Sequence, residues 1–85
     1  MKTFSYTIQD AEGIHARPAG ELVKVVKSLS SKVKMSCNGK SAAASKILAV
    51  MSLGAKKGQQ VDFEVEGESE AADAETLEAF MKANL

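Results

Sequence analysis

The stretch GIHARPAG, from Gly13 to Gly20, holds the only histidine in the chain, His15, the only arginine, Arg17, and the only proline, Pro18. A neutral imidazole carries a free lone pair and can act as a nucleophile. A guanidinium two residues on is always charged, and its planar fork suits a pair of phosphate or carboxylate oxygens. The pattern points to capture of an anion, covalent or not, at His15. Other chemistries are poorly supplied. One histidine and one cysteine, Cys37, cannot close a tetrahedral zinc site by themselves, so no metal or other cofactor is expected. Cys37 keeps the period of Val33 and Met35 and reads as a buried strand residue. The late acidic run DFEVEGESEAADAE reads as a solvated strand face and a helix start, with no convincing pair of hydrolytic carboxylates.

A helix has to begin at this histidine. From about Ala16, the residues Ala19, Leu22, Val23 and Val26 follow an i, i+3, i+4, i+7 spacing and make one apolar face. Pro18 falls in the first turn, where a missing N–H costs nothing. His15 therefore lies just before or at the first helical residue, beside the free amides of Ala16 and Arg17. The positive end of the helix dipole favours an anion there. A histidine at a helix start is also an ordinary cap or surface residue, and the residues by themselves leave both readings open.

The remaining elements follow from periodicity. Phe4, Tyr6 and Ile8 alternate with polar residues and predict a half-buried strand, with DAEG as the turn after it. Val33, Met35 and Cys37 predict a second strand. Asn38-Gly39 is a strong hairpin signal, with KSAAAS as a short return strand at an edge. KILAVMSLG predicts a short helix ended by Gly54 and apolar on nearly every side, so part of it should reach the surface. Val61, Phe63 and Val65 alternate with acids in the clearest amphipathic strand. A last helix runs through the 70s to about Lys82, with Ala74, Leu77, Phe80 and Met81 inward. The order β-α-β-β-α-β-α predicts an α+β fold with helices on one face of a mainly antiparallel sheet.

The 85 residues are expected to form one domain, 1–85. Lysine plus arginine number 11 and aspartate plus glutamate also number 11, a neutral balance that argues against nucleic acid as a partner. The longest apolar run, Ile47 to Met51, is far short of the roughly 20 residues of a membrane span. The start MKTFSYTIQ has no apolar h-region, so no signal peptide or membrane insertion is expected. A single cysteine fits a reducing, cytoplasmic setting.

GIHARPAG, together with NGKSAAASKILAVMSLG downstream, resembles HPr, the histidine-containing phosphocarrier family of the bacterial sugar phosphotransferase system. The similarity spans essentially the whole chain. It implies an open-faced β-sandwich, a four-stranded antiparallel sheet in the order 1-4-2-3 with three helices on one side. It also implies a carrier that is not a stand-alone enzyme. Enzyme I, charged by phosphoenolpyruvate, passes a phosphoryl group to His15, on Nδ1 in the family. The phosphohistidine then donates it to a sugar-specific enzyme IIA, which supports sugar uptake. Ala16, Arg17 and Pro18 match the residues that steady the phosphate. Ile47, Leu48 and Met51 match positions that dock on these partners, whereas Val50 and Leu53 read as core.

Gly20 lowers helix propensity by about 1 kcal/mol relative to alanine. It reads either as a site of close approach by a partner or as simple tolerance in an exposed turn. Many family members have Lys-Ser before the isoleucine of the short helix, and that serine is the target of an ATP-dependent regulatory kinase in Gram-positive bacteria. Here the order is Ser45-Lys46. Ser45 is then either a helix cap or a displaced phosphorylation target, and kinase control is expected to be lost or altered. A phosphate on Ser45 would add about −1.5 to −2 charge beside the docking residues. The protein is expected to be a monomer. Two other readings are a paralogue serving a regulatory branch, nitrogen or catabolite, and a binding module for anions or proteins without covalent chemistry.

Overall fold

The computed structural model describes all 85 residues: β1 (Lys2–Thr7), α1 (Ala16–Ser28), β2 (Lys32–Cys37), β3 (Lys40–Ala43), α2 (Ile47–Ser52), β4 (Gln60–Glu66) and α3 (Glu70–Asn84). The element order is the one that the periodicities predict. The four strands form one antiparallel sheet in the order β1-β4-β2-β3, as the resemblance implies.

β4 lies between β1 and β2, and its alternation decides which side of the sheet is wet. Val61, Phe63 and Val65 are fully buried on the side that faces the helices. Phe63 stands opposite Phe4 on β1 and Met35 on β2, and the two phenyl rings stack with centroids 4.7 Å apart. On the other side, Glu64 and Glu66 are paired in register with Lys34 and Lys32. This face therefore stays polar and open.

The hairpin between β2 and β3 turns on Asn38 and Gly39, with φ of 54° and 77°. Two successive positive φ values define a type I′ turn, whose twist matches the flanking strands. β3 is short and sits at the edge, as its alanine-rich composition predicts.

The helices lie over the buried side. Leu22, Val23 and Val26 of α1 and Ala74, Leu77 and Met81 of α3 join the core, while Phe80 is half-buried beside it. α3 extends past Lys82 to Asn84, and the main-chain oxygen of Leu85 accepts hydrogen bonds from the amides of Gln9 and Asp10 at 2.6 and 2.8 Å. The end of α3 thus holds the segment that leads from β1 toward His15. No helix is long and apolar enough to cross a membrane.

One expectation fails in the acidic run. Asp73 is not solvated: it is 7% exposed, and Oδ2 accepts from the Ser31 hydroxyl at 2.6 Å and the Ser31 amide at 3.1 Å. A carboxylate is retained at a buried position when such donors replace its water. The pair ties the first turn of α3 to the connection between α1 and β2.

Candidate functional site

His15 is the N-cap of α1. Its backbone is extended (φ −109°, ψ −173°), and its carbonyl accepts the first intrahelical bond from Ala19 at 2.9 Å. Its side chain makes no capping hydrogen bond, so the imidazole is left to other work. The ring is half-exposed at the surface. The amides of Ala16 and Arg17 have no acceptor within the protein, and Pro18, buried in the first turn, has no amide to leave unpaired. Arg17 is exposed and engaged in no ion pair. Two free N–H groups and the positive helix end thus lie at one accessible imidazole, and an unpaired arginine stands two residues on. That arrangement suits an anion of phosphate type.

The loop that delivers His15 is fixed from below. Gly13 has φ +68°, and a Cβ there would lie 2.3 Å from the Ala55 carbonyl oxygen and 2.8 Å from Lys56 Cα. Only glycine permits so close an approach. Next to it, the Ile14 amide donates to the Ala55 carbonyl at 3.0 Å. Ile14 and Ala55 are both buried. The segment that carries Ala55 is bound in turn to the β2–β3 turn. Asn38 Nδ2 donates to the Leu53 carbonyl at 3.3 Å and to Gln59 Oε1 at 3.2 Å. These supports were not read from the sequence, where Asn38-Gly39 signalled only a hairpin. Gly13, immediately before the Ile-His pair, was the one visible hint.

The short helix α2 packs against α1 and β3. Val50 and Leu53 are fully buried, as expected, whereas Ile47, Leu48 and Met51 are 40%, 79% and 37% exposed. So large an exposed apolar cluster on a small protein makes this end of α2 a candidate contact surface. Gly20 joins this cluster to the His15 end of α1: a Cβ placed on it would sit 3.6 Å from Ile47 Cδ1, an ordinary contact. The chain itself therefore has room for alanine at position 20. Along α1, Arg17, Gly20, Lys24 and Lys27 recur at i, i+3, i+7 and i+10, and the three cations form an exposed stripe on one helix face.

Gly54 closes α2 with φ +65°, and its amide bonds the Met51 carbonyl at 3.2 Å, a left-handed cap. At the other end the capping expectation for Ser45 does not hold. Lys46 is the N-cap, its carbonyl accepting from Val50 at 3.0 Å, and Ser45 lies outside the helix. Ser45 is exposed, and its side chain forms no hydrogen bond within the protein. Its hydroxyl cannot reach the first amides of α2 because the helix starts one residue later than a Ser45 cap requires.

Cys37 is buried under the sheet, and burial, with a smaller contribution from Asp62, pushes its thiol above the ordinary range. It is thus a poor nucleophile. No cluster of three metal-ligating side chains exists.

Fold and site together define a small α+β protein that offers a histidine at an anion-ready helix start, with an exposed apolar cluster on the adjoining short helix. The sequence family described as the PTS HPr component phosphorylation site matches residues 2–83. The phosphocarrier protein HPr of Lysinibacillus sphaericus is 42% identical over 77 residues, covering 91% of this chain and 88% of that protein. The solved histidine-containing phosphocarrier protein from a Mycoplasma superposes with a TM-score of 0.92 at 28% identity, covering 96% of this chain and 93% of the other. The catabolite repression protein Crh of Bacillus subtilis, solved as a swapped dimer, is also alike, with a TM-score of 0.77 at 29% identity and coverage of 94% and 92%. The chain belongs to the HPr family, phosphocarrier proteins of the bacterial phosphotransferase system.

Proposed function

We propose that this protein, acting as one domain in the cytoplasm, accepts a phosphoryl group on His15 from phosphorylated enzyme I and passes it to sugar-specific enzyme IIA domains. Phosphoenolpyruvate is the ultimate donor and sugar uptake the outcome. The observation that carries the reading is the half-exposed His15 at the start of α1, with the Ala16 and Arg17 amides and the Arg17 guanidinium all unengaged beside it.

In the forward step a ring nitrogen attacks phosphorus, a P–N bond forms and the bond to the donor breaks. The new dianion is received by the two amides and Arg17, while Pro18 sets the first turn. In the return step the same P–N bond breaks as the phosphoryl group moves to the acceptor. Ile47, Leu48 and Met51, with Gly20 beside them, dock both partners, and methionine suits a surface that must fit more than one. The stripe of Arg17, Lys24 and Lys27 favours partners with acidic rims. The protein works as a monomer, needs no cofactor and turns over no substrate alone.

The test is to mix the protein with phosphoenolpyruvate and enzyme I and to map phosphate. Acid-labile phosphate on His15, absent from His15→Ala, is expected. No transfer under conditions that charge a known HPr would refute the carrier reading and favour a non-covalent anion- or protein-binding module.

The likeness to Crh supports a second reading, a paralogue in a catabolite branch. Loss of the gene would then leave sugar uptake intact and change regulation. Serine-kinase control is lost or altered on our reading, because Lys46 stands next to the short helix where the family carries serine. Incubation with the family kinase and ATP, followed by mapping of Ser45, decides it.

A further inference from the structure

Gln59 is the residue on which the support of the His15 loop converges. Its side-chain oxygen Oε1 accepts two hydrogen bonds, from the Lys56 amide at 2.8 Å and from Asn38 Nδ2 at 3.2 Å. Its own amide donates back to the Lys56 carbonyl at 3.0 Å, so the turn from Lys56 to Gln59 is closed twice. Its carbonyl accepts from the Ile8 amide at 2.9 Å, and the Gly58 amide donates to the Ile8 carbonyl at 2.8 Å. The turn is thereby anchored to the strand end that leads toward His15. Ala55, one residue before Lys56, then receives the Ile14 amide at 3.0 Å, directly before His15.

We infer that Gln59 is a positioning residue for His15: its side-chain oxygen holds the Leu53–Gln59 segment against Asn38, and that segment sets the height and angle at which the histidine meets its phosphoryl donor. The inference rests on the proposed carrier function and adds to it a residue outside the GIHARPAG stretch. A side chain that only covered surface would be replaceable by any of similar length, whereas this role demands an acceptor at Oε1.

That distinction defines the experiment. Gln59→Met keeps length and loses the acceptor, and Gln59→Glu keeps an acceptor oxygen at the same place. Each full-length variant is compared with the wild type in two ways. The first is hydrogen exchange of the Ile14 amide, referenced to the Phe63 amide in the core, which needs no partner protein. The second is the rate at which enzyme I and phosphoenolpyruvate phosphorylate His15.

In Gln59→Met, Ile14 exchange is expected to rise about tenfold relative to Phe63, the scale of one lost hydrogen bond. Phosphorylation should slow severalfold with the melting profile still cooperative. Gln59→Glu should restore both readouts to near wild-type values. Unchanged Ile14 exchange in Gln59→Met, or equal loss in both variants, overturns the inference. If the wild type itself takes no phosphate, the carrier reading fails, and the exchange measurement still decides whether Gln59 braces the loop.

Discussion

Replacing Gly13 by alanine tests the support of His15 by steric means. Three costs add at this position. A φ of +68° is unfavourable for a residue with a Cβ, by about 1–2 kcal/mol. The new Cβ would lie 2.3 Å from the Ala55 oxygen and 2.8 Å from Lys56 Cα, both backbone atoms, so segments must separate rather than a side chain swing aside. Such overpacking costs about 1–3 kcal/mol. The separation also stretches the buried bond from Ile14 to Ala55, worth about 1 kcal/mol.

The sum is about 4 kcal/mol, a large part of the roughly 5–15 kcal/mol that holds a small domain folded. Gly54→Ala supplies the control. Its φ is +65°, and nothing lies within 4 Å of its added Cβ, so only the conformational cost applies. Urea unfolding followed by circular dichroism should place Gly54→Ala about 1–2 kcal/mol below the wild type and Gly13→Ala about 2 kcal/mol or more below Gly54→Ala. In thermal melts the second gap corresponds to about 8–16 °C. If the two variants lose stability equally, the close approach of Gly13 to Ala55 does not constrain the loop, and the account of how His15 is held is wrong.

Leu48→Asp changes a side chain that is 79% exposed, so stability should move by no more than about 0.5 kcal/mol while phosphorylation by enzyme I slows at least tenfold; a normal transfer rate would remove Leu48 from the docking surface. Ser31→Ala removes the hydroxyl donor to buried Asp73 and should cost about 1–3 kcal/mol in urea unfolding, with a loss below about 0.5 kcal/mol counting against the pair as a tether. Asp62 has its carboxyl held below the usual range by hydrogen bonds from Ser5 and then Gln60. Its folded-state pKa is depressed, so its small contribution to stability is present above the unfolded carboxylate pKa and fades as pH falls through the folded one. NMR titration of Ser5→Ala should show the Asp62 midpoint moving upward.

The sequence was legible wherever one face of an element meets the core. The alternation of Val61, Phe63 and Val65, the helical spacing of Leu22, Val23 and Val26, and the Asn38-Gly39 turn each encode structure within a few residues. The place of His15 at a helix start was legible for the same reason, since Pro18 and the apolar spacing both mark the first turn. The strand order came from the family resemblance, because pairing β1 with β4 joins residues more than fifty positions apart.

Contacts between distant parts of the chain explain two of the features that were missed, and a one-residue local shift explains the third. Asp73 looks like any acid at a helix start until Ser31 arrives from across the chain. Ser45 looks like a cap until the backbone at Lys46 takes that position. Gln59 sits in a polar loop with no local sign that Asn38 bonds to it.

The uncapped start of α1 has a thermodynamic consequence for a carrier. An anion that binds the Ala16 and Arg17 amides stabilises the whole fold, because it binds the folded chain and not the unfolded one. The same preference works against release: every 1.4 kcal/mol of grip on the phosphoryl group makes it about tenfold harder to hand on. A half-exposed site with two amides and one unpaired guanidinium is a loose grip. On the proposed carrier function, a deep cage would hold the cargo longer, whereas an open ledge at a helix end favours easy loading and unloading.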